Sequence, residues 1–270
     1  MTEVVLIDVR DEIAVLRLNR PERLNAWTPE LQTRYFDLLD QCAEREDVRV
    51  IVVTGAGRGF CAGADMDNLQ SVASGELDST SGAHDPRPVT YALGIPKPVI
   101  AAINGPCAGL GLVHALMCDI RFAAQSAKIT TAFSRRGLIA EHAISWMLPR
   151  LVGPARSLDL LFSGRIVLGD EAAELGIVNR SVPDETVLEE AVGYGRMLAT
   201  ECSPSSMAQM KRQVYSDYER TLSESLAIAN QLMIESFSGA DFAEGVQSFL
   251  ERRPPRFAPL AGDREHAAAT

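Results

Sequence analysis

PVIAAINGPCAGLGLVHALMCDIRFAA, residues 98–124, is the stretch whose reading decides the fold class. PVIAAIN (98–104) is an apolar run of strand length, and Asn104-Gly105-Pro106 ends it with turn residues. Residues 108–117 read as a short helix that starts among small residues, and DIRFAA (119–124) reads as the next strand. From Val99 to Cys118 the chain has no formal charge over twenty residues, enough on length alone to span a bilayer. The Asn-Gly-Pro break assigns it instead to a buried strand, a turn and a helix. Strand, glycine loop, helix and strand in immediate succession predict a layered α/β arrangement.

The flanking sequence repeats this theme. VVLIDV (4–9) and EIAVLRL (12–18), separated by Arg10-Asp11, predict a tight antiparallel pair rich in β-branched residues. Thr28-Pro29-Glu30 supplies an N-cap hydroxyl, a proline at the first helical position and an early acid. Leu31, Tyr35, Leu38 and Leu39 then recur at helical spacing. VRVIVVTG (48–55) reads as a buried strand running into a glycine-rich loop, and residues 71–88 read as a mobile polar surface loop. Strand signals stop after about residue 185. Leu222, Leu226, Ala229, Met233 and Phe237 fall on one helical face, and Asp241 with Glu244 resembles a capping box. A body over 1–195, a helical region over 196–258 whose apolar faces need a partner, and a frayed polar tail over 259–270 are expected.

Composition narrows the function classes. A formal net charge of −10 argues against nucleic acid and anionic membrane as partners. With 46% hydrophobic and 23% charged residues, the chain has the balance of an ordinary folded domain. Its five cysteines (42, 61, 107, 118, 202) are odd in number and irregularly spaced, so neither a disulfide framework nor a zinc site is expected. The first residues carry no basic n-region followed by an apolar run, and the reading is a cytoplasmic protein.

Chemistry is concentrated in two glycine-rich segments that each follow a buried strand, TGAGRGFCAGAD (54–65) and NGPCAGLGL (104–112). Small residues let a ligand approach the backbone, so that free N–H groups can be aimed at an oxygen. A dinucleotide fingerprint is the rival reading. It fails because the glycine after Gly55-Ala56-Gly57 falls at 59 rather than 60, and the acids some twenty residues on (Glu76, Asp78) lie in a polar loop. The sequence holds no Walker A lysine, Gly-x-Ser-x-Gly elbow or His-Glu-x-x-His.

LNRPERLNAW (18–27), GFCAGADM (59–66), GIPKPVIAAINGPCAGLGL (94–112), CDIRFA (118–123), GLIAEHAISWMLPRLVG (137–153) and FLERRPPRF (249–257) together resemble the enoyl-CoA hydratase/isomerase family, or crotonase superfamily. The resemblance runs in order over nearly the whole chain. It implies a ClpP/crotonase-like spiral of ββα units with a C-terminal helical oligomerisation region, assembled as a homotrimer or homohexamer, acting on an acyl-CoA. Coenzyme A would enter as part of the substrate, with no separate cofactor and no metal. The family's two backbone donors to the thioester oxygen fall on Ala64 and Leu110. The CoA adenine and phosphates would lie near Arg23, Ala26, Arg58, Ala62 and Met66, with Arg252 reaching the 3′-phosphate region.

The same resemblance exposes a departure. The two glutamates of a hydratase, which position a water and move its proton, fall on Val113 and Phe133, and neither can transfer a proton. Glu141 stands where the ring-opening phenylacetate-pathway isomerases carry a single aspartate. One carboxylate that takes a proton from one carbon and returns it to another is what double-bond isomerisation needs. The bland reading of Glu141 is a cap on the helix that continues through Ile144. His114 and His142 read as hydrogen-bonded core residues, and Asp65 and Asp119 as cap or turn acids. A catalytically silent acyl-CoA-binding or regulatory protein is the alternative to an enzyme.

Overall fold

Strand β1 (Val5–Arg10) and strand β2 (Ile13–Leu18) pair antiparallel, with Val5 opposite Leu18 and Arg10 opposite Ile13. The molecule is seen in a computed structural model that describes residues 3–75 and 85–260. The hairpin turns on Asp11 and Glu12, one residue later than the sequence predicts. Both have positive φ (51° and 62°), the turn geometry that matches the twist of paired strands. Helix α1 (Pro29–Glu44) begins as its sequence dictates: the Thr28 hydroxyl accepts the Leu31 N–H at 3.2 Å, and Pro29 occupies the first turn. Its buried stripe of Leu31, Tyr35, Phe36, Leu38, Leu39 and Cys42 packs on the hairpin.

Strand β3 (Val50–Gly55) is buried along its whole length and lies parallel to β2. After the 56–65 loop comes helix α2 (Met66–Ala73). Residues 76–84 of the expected surface loop lie outside the described residues. The chain is pinned again at Arg87, which meets Asp37, Asp40 and Asp85 at 2.6 Å each and so ties this segment to α1. The uncharged stretch from Val99 to Cys118 resolves into strand β4 (Val99–Ile103), the two-residue strand β5 (Cys107–Ala108) and helix α3 (Leu110–Leu116). No helix among the described residues is long and apolar enough to cross a membrane.

Strand β6 (Ile120–Ala124), strand β7 (Ile129–Thr130), helices α4 (Ile144–Val152), α5 (Pro154–Ser163) and α6 (Gly169–Leu175), strand β8 (Arg180–Val182) and helix α7 (Val187–Glu201) complete the body. The main sheet has the order β1-β2-β3-β4-β6-β8, parallel except for the first pair. Strands β5 and β7 form a second, small parallel sheet, continued by backbone bridges between Cys61 and Cys107 and between Ile129 and Val167. Successive passes of the chain thus place one strand in the large sheet and one short extended piece in the second layer. Helix α7 covers the large sheet, and a side chain at Gly195 would already press on Val50 at 3.2 Å. The expected 195/196 division falls inside this continuous helix.

Three helices follow: α8 (Pro204–Asp217), α9 (Leu222–Phe237) and α10 (Ala240–Glu251). The capping box sits on α9, between Thr221 and Glu224, and not at Asp241 and Glu244. Asp241 is already inside α10 and accepts the Ser203 and Ser205 hydroxyls at 2.5 and 2.7 Å, while Glu244 grips Arg253 at 2.6 and 2.9 Å. Helix α9 has no buried residue, and its Leu222 is 85% exposed. The tail expected from 259 lies, beyond Leu260, outside the described residues.

Asp119 fastens this region to the body. One carboxylate oxygen accepts the Val99 N–H and the Lys211 ammonium, both at 2.8 Å, and the other accepts the Tyr215 hydroxyl at 3.2 Å. Lys211 also donates to the carbonyls of Ala92 and Lys97. Asp119→Ala would strand a buried amide and a largely buried ammonium, so a loss of about 3 kcal/mol is expected, read as a lower urea midpoint.

Candidate functional site

The glycine-rich loop after β3 is held from both sides by asparagine amides. Buried Asn25 accepts the Arg20 N–H at 2.8 Å and donates to the carbonyls of Ala56 and Gly59 at 3.0 and 2.8 Å. Asn104 accepts the Gly55 N–H and donates to the carbonyls of Gly55 and Gly57. A turn made mostly of backbone would otherwise bury unpaired polar groups, and two side-chain amides answer five of them.

The loop then runs between two neighbours. On one side Trp27 N–H donates to the Gly63 carbonyl at 2.7 Å and Asp65 N–H to the Trp27 carbonyl at 3.0 Å. On the other, Ala108 N–H donates to the Cys61 carbonyl at 3.0 Å. Glycine is required at the crossing. A Cβ on Gly63, whose φ is +101°, would stand 2.9 Å from the Ala108 oxygen and 3.7 Å from the Leu110 nitrogen, and one on Gly111 would overlap the Cys61 oxygen at 2.3 Å. The segment carrying Ala64 therefore lies against the first turn of α3. Leu110 opens that helix, where an amide has no intrahelical acceptor. Neither the Ala64 nor the Leu110 N–H has an acceptor among the described residues.

Both residues line a cleft of about 280 Å³. Arg23, Ala26, Ala62, Met66 and Glu141 line it as well, so seven of the residues singled out in the sequence meet there. Arg58 is exposed in the loop after β3 and Arg252 is exposed at the left-handed end of α10; neither belongs to the cleft wall of this chain. A larger hollow of about 800 Å³ between α8, α10 and residues 257–260 shares no lining residue with the cleft.

The rest of the wall is the segment 133–142. Glu141 does not cap α4: the N-cap is Ala143, with no side-chain hydrogen bond, and only the Glu141 backbone carbonyl accepts the Ile144 amide. The carboxylate is one-third exposed, and the His142 imidazole stands 3.9 Å away. His142 and Ala143 are both left-handed (φ 54° and 61°), which turns the chain sharply behind Glu141. Burial pulls the His142 imidazole below its ordinary value. His114 is buried deeper, stacked on Trp27 at 3.6 Å, and burial pushes it down to about 3. It is therefore neutral, and its Nε2 has no hydrogen-bond partner among the described residues, contrary to the expectation of a hydrogen-bonded core histidine. Val113 is fully buried in α3, while Phe133 lies in the cleft wall.

A model of the enoyl-CoA hydratase/isomerase family matches residues 8–259. The chain belongs to this family. It is 36% identical over 261 residues to the 1,2-epoxyphenylacetyl-CoA isomerase of Escherichia coli, covering 95% of this chain and 99% of that protein. Among solved structures, an enoyl-CoA hydratase from Polaromonas superposes with a TM-score of 0.88 at 28% identity over 94% of this chain and 99% of that one. Another, from Mycobacterium marinum, shares 47% identity with a TM-score of 0.70, covering 81% of this chain and 100% of that one. The two-layered spiral of this chain is thus the crotonase fold of the enoyl-CoA hydratase/isomerase family.

Within this family member, the residues that the sequence did not flag are those that shape the loops. Asn25, Asn104 and Arg20 make no motif by themselves, because each also has partners far away in sequence. Arg20 donates to the Ala26 carbonyl at 2.6 Å and to Asp65 at 2.9 Å, and Asp65 caps α2 through the Asp67 amide at 3.1 Å. No group of three or more metal-ligating side chains occurs among the described residues.

Burial raises the Asp65 carboxyl, but the Arg20 guanidinium and the Asp67 amide outweigh it and hold it below the usual carboxylate range. The folded value lies under the unfolded one, so the contribution to stability is complete above about pH 4 and is lost as pH falls through the folded value. Melting temperatures measured between pH 2 and about 5 should fall on acidification in the wild type and respond less in Asp65→Asn.

Proposed function

We propose that this chain is an acyl-CoA enzyme that holds the thioester oxygen between the Ala64 and Leu110 amides and uses Glu141 as a single base to shift an enoyl double bond. The observation that carries this reading is the convergence, in one cleft, of two backbone amides that have no acceptor and a carboxylate that has no arginine or lysine bound to it, among the described residues. Glu141 takes a proton from the carbon next to the thioester of a 3-enoyl-CoA, and the C–H electron pair moves into a dienolate whose charge rests on the thioester oxygen. Returning that proton to the far carbon of the conjugated system yields the 2-enoyl-CoA. The two amides strengthen their grip as charge builds, and one such donor accounts for about 3 to 4 kcal/mol in comparable sites.

Coenzyme A belongs to the substrate here. Arg23, Ala26, Ala62 and Met66 would receive its adenine and phosphate portion, with Arg58 close by in the loop. Arg252 would serve the cleft of a neighbouring subunit. Self-assembly as a homotrimer or homohexamer is supported by the apolar side chains that α9 and α10 leave uncovered, with Phe249 81% exposed. Two-glutamate hydration is disfavoured because Val113 and Phe133 offer no proton-transfer group. The isomerase activity named for the Escherichia coli relative supports the one-base reading. The same two apolar residues favour a second reading, an acyl-CoA-binding protein without turnover.

The deciding experiment follows 3-enoyl-CoA isomerisation and crotonyl-CoA hydration side by side in wild type and Glu141→Gln, with CoA binding measured on both. Isomerisation should fall by about 10²- to 10⁴-fold in the variant while binding persists. Hydration by the wild type that the substitution leaves untouched would remove Glu141 from its role. A wild type that binds CoA and turns over neither substrate would point to a different acyl group or to the binding protein.

A further inference from the structure

We infer that Arg136 is an anion-recognition residue of the cleft and that the acyl group this protein accepts carries a carboxylate. The inference rests on the acyl-CoA reading above and extends it to substrate class.

Five ionisable side chains line the cleft: Arg23, Asp65, Arg136, Glu141 and His142. Four of them have an ionisable neighbour. Arg23 meets Asp67 at 3.2 Å, Asp65 meets Arg20 at 2.9 Å, and Glu141 faces His142 at 3.9 Å. Arg136 has no hydrogen bond or ion pair for its side chain among the described residues. Glu141 is carried by the same wall segment, yet the two form no ion pair, so the wall presents an opposite pair of charges held apart. Pairing them would have neutralised both; separated, each is open to a ligand group.

The base that presents Arg136 is fixed. It ends a single 3-10 turn over Ser134–Arg136, whose Arg136 N–H donates to the Phe133 carbonyl at 2.9 Å. The other two side chains of that turn are bound to the end of α5: the Ser134 hydroxyl donates to the Phe162 carbonyl at 2.9 Å and Arg135 Nε to the Ser163 carbonyl at 2.8 Å. Only the third residue of the turn is left uncommitted, and it is the one in the cleft wall. A guanidinium offers a planar fork of donors that fits a carboxylate with two parallel hydrogen bonds. Because Arg136 shares its segment with Glu141 and Phe133, the anion it receives belongs to the reacting end of the thioester.

The test compares dissociation constants for free CoA, butyryl-CoA and succinyl-CoA, whose acyl groups differ by a terminal carboxylate, in wild type, Arg136→Gln and Arg136→Lys. Wild type should prefer succinyl-CoA over butyryl-CoA. Arg136→Gln should weaken succinyl-CoA on the order of tenfold while leaving the other two within about twofold, and Arg136→Lys should fall between. Equal weakening of all three ligands would assign the anion to a CoA phosphate and overturn the acyl-carboxylate inference. Unchanged binding of all three would overturn the role of Arg136 altogether. A wild type that binds none of the three would instead refute the acyl-CoA reading itself. Since the Arg136 side chain makes no hydrogen bond or ion pair among the described residues, melting temperatures of the variants should match the wild type.

Discussion

The approach of residues 60–65 to the 106–111 turn is the constraint on which the cleft depends. Two backbones meet at a separation that leaves no room for a Cβ on Gly63 or Gly111, and the Ala108 amide closes the contact on the Cys61 carbonyl. Because that bond and the bridge to Trp27 consume the neighbouring polar groups, the amides of Ala64 and Leu110, both lining the cleft, are left without acceptors among the described residues. A buried donor without a partner carries a free-energy cost of about 1–3 kcal/mol. Under the proposed function, an incoming thioester oxygen would remove that cost, and the folded backbone would form the site without a functional side chain.

Rigidity behind the cleft comes from side chains that act on backbone. Asn25 and Asn104 answer the carbonyls and amides of the 55–59 loop, and the Arg20–Asp65 pair ties the 20–26 segment to the start of α2. The opposite wall, 133–142, is built differently. It has one anchored 3-10 turn and a left-handed pair at His142 and Ala143, so it is set by local backbone geometry and a few contacts to α5. One wall is thus fixed by a dense network, while the wall that carries Glu141 has looser support. Under the proposed function that division fits, because the oxygen-binding amides would have to stay put while the proton-transfer group served two carbons.

The helical third of the chain is coupled to the body by few but strong links. Asp119 collects an amide from β4 and an ammonium and a phenol from α8, and Arg49 reaches the Phe257 carbonyl at 2.7 Å. The outward faces of α9 and α10 remain apolar, consistent with helices whose stability draws on a surface beyond one copy of the chain.

Local chemistry was legible in the sequence wherever it acts between near neighbours. Thr28-Pro29 starts α1, β-branched runs make the strands, and Asn104-Gly105-Pro106 breaks an uncharged stretch that length alone would have sent across a membrane. The family blocks located Ala64, Leu110 and Glu141 by position, and the fold brings these three into one cleft. The sequence could not reveal what depends on groups distant along the chain. Asp241 and Glu244 have capping-box spacing, but Ser203, Ser205 and Arg253 claim their carboxylates, and Glu141 precedes a helix without capping it. Nothing in one dimension marks Asn25 and Asn104 as the supports of the 55–59 loop, His114 as a neutral ring against Trp27, or Arg136 as the uncommitted charge of the cleft. Periodicity and turn propensity are properties of a few consecutive residues, whereas burial and pairing are decided by which backbone arrives from elsewhere, and only the tertiary structure decides that.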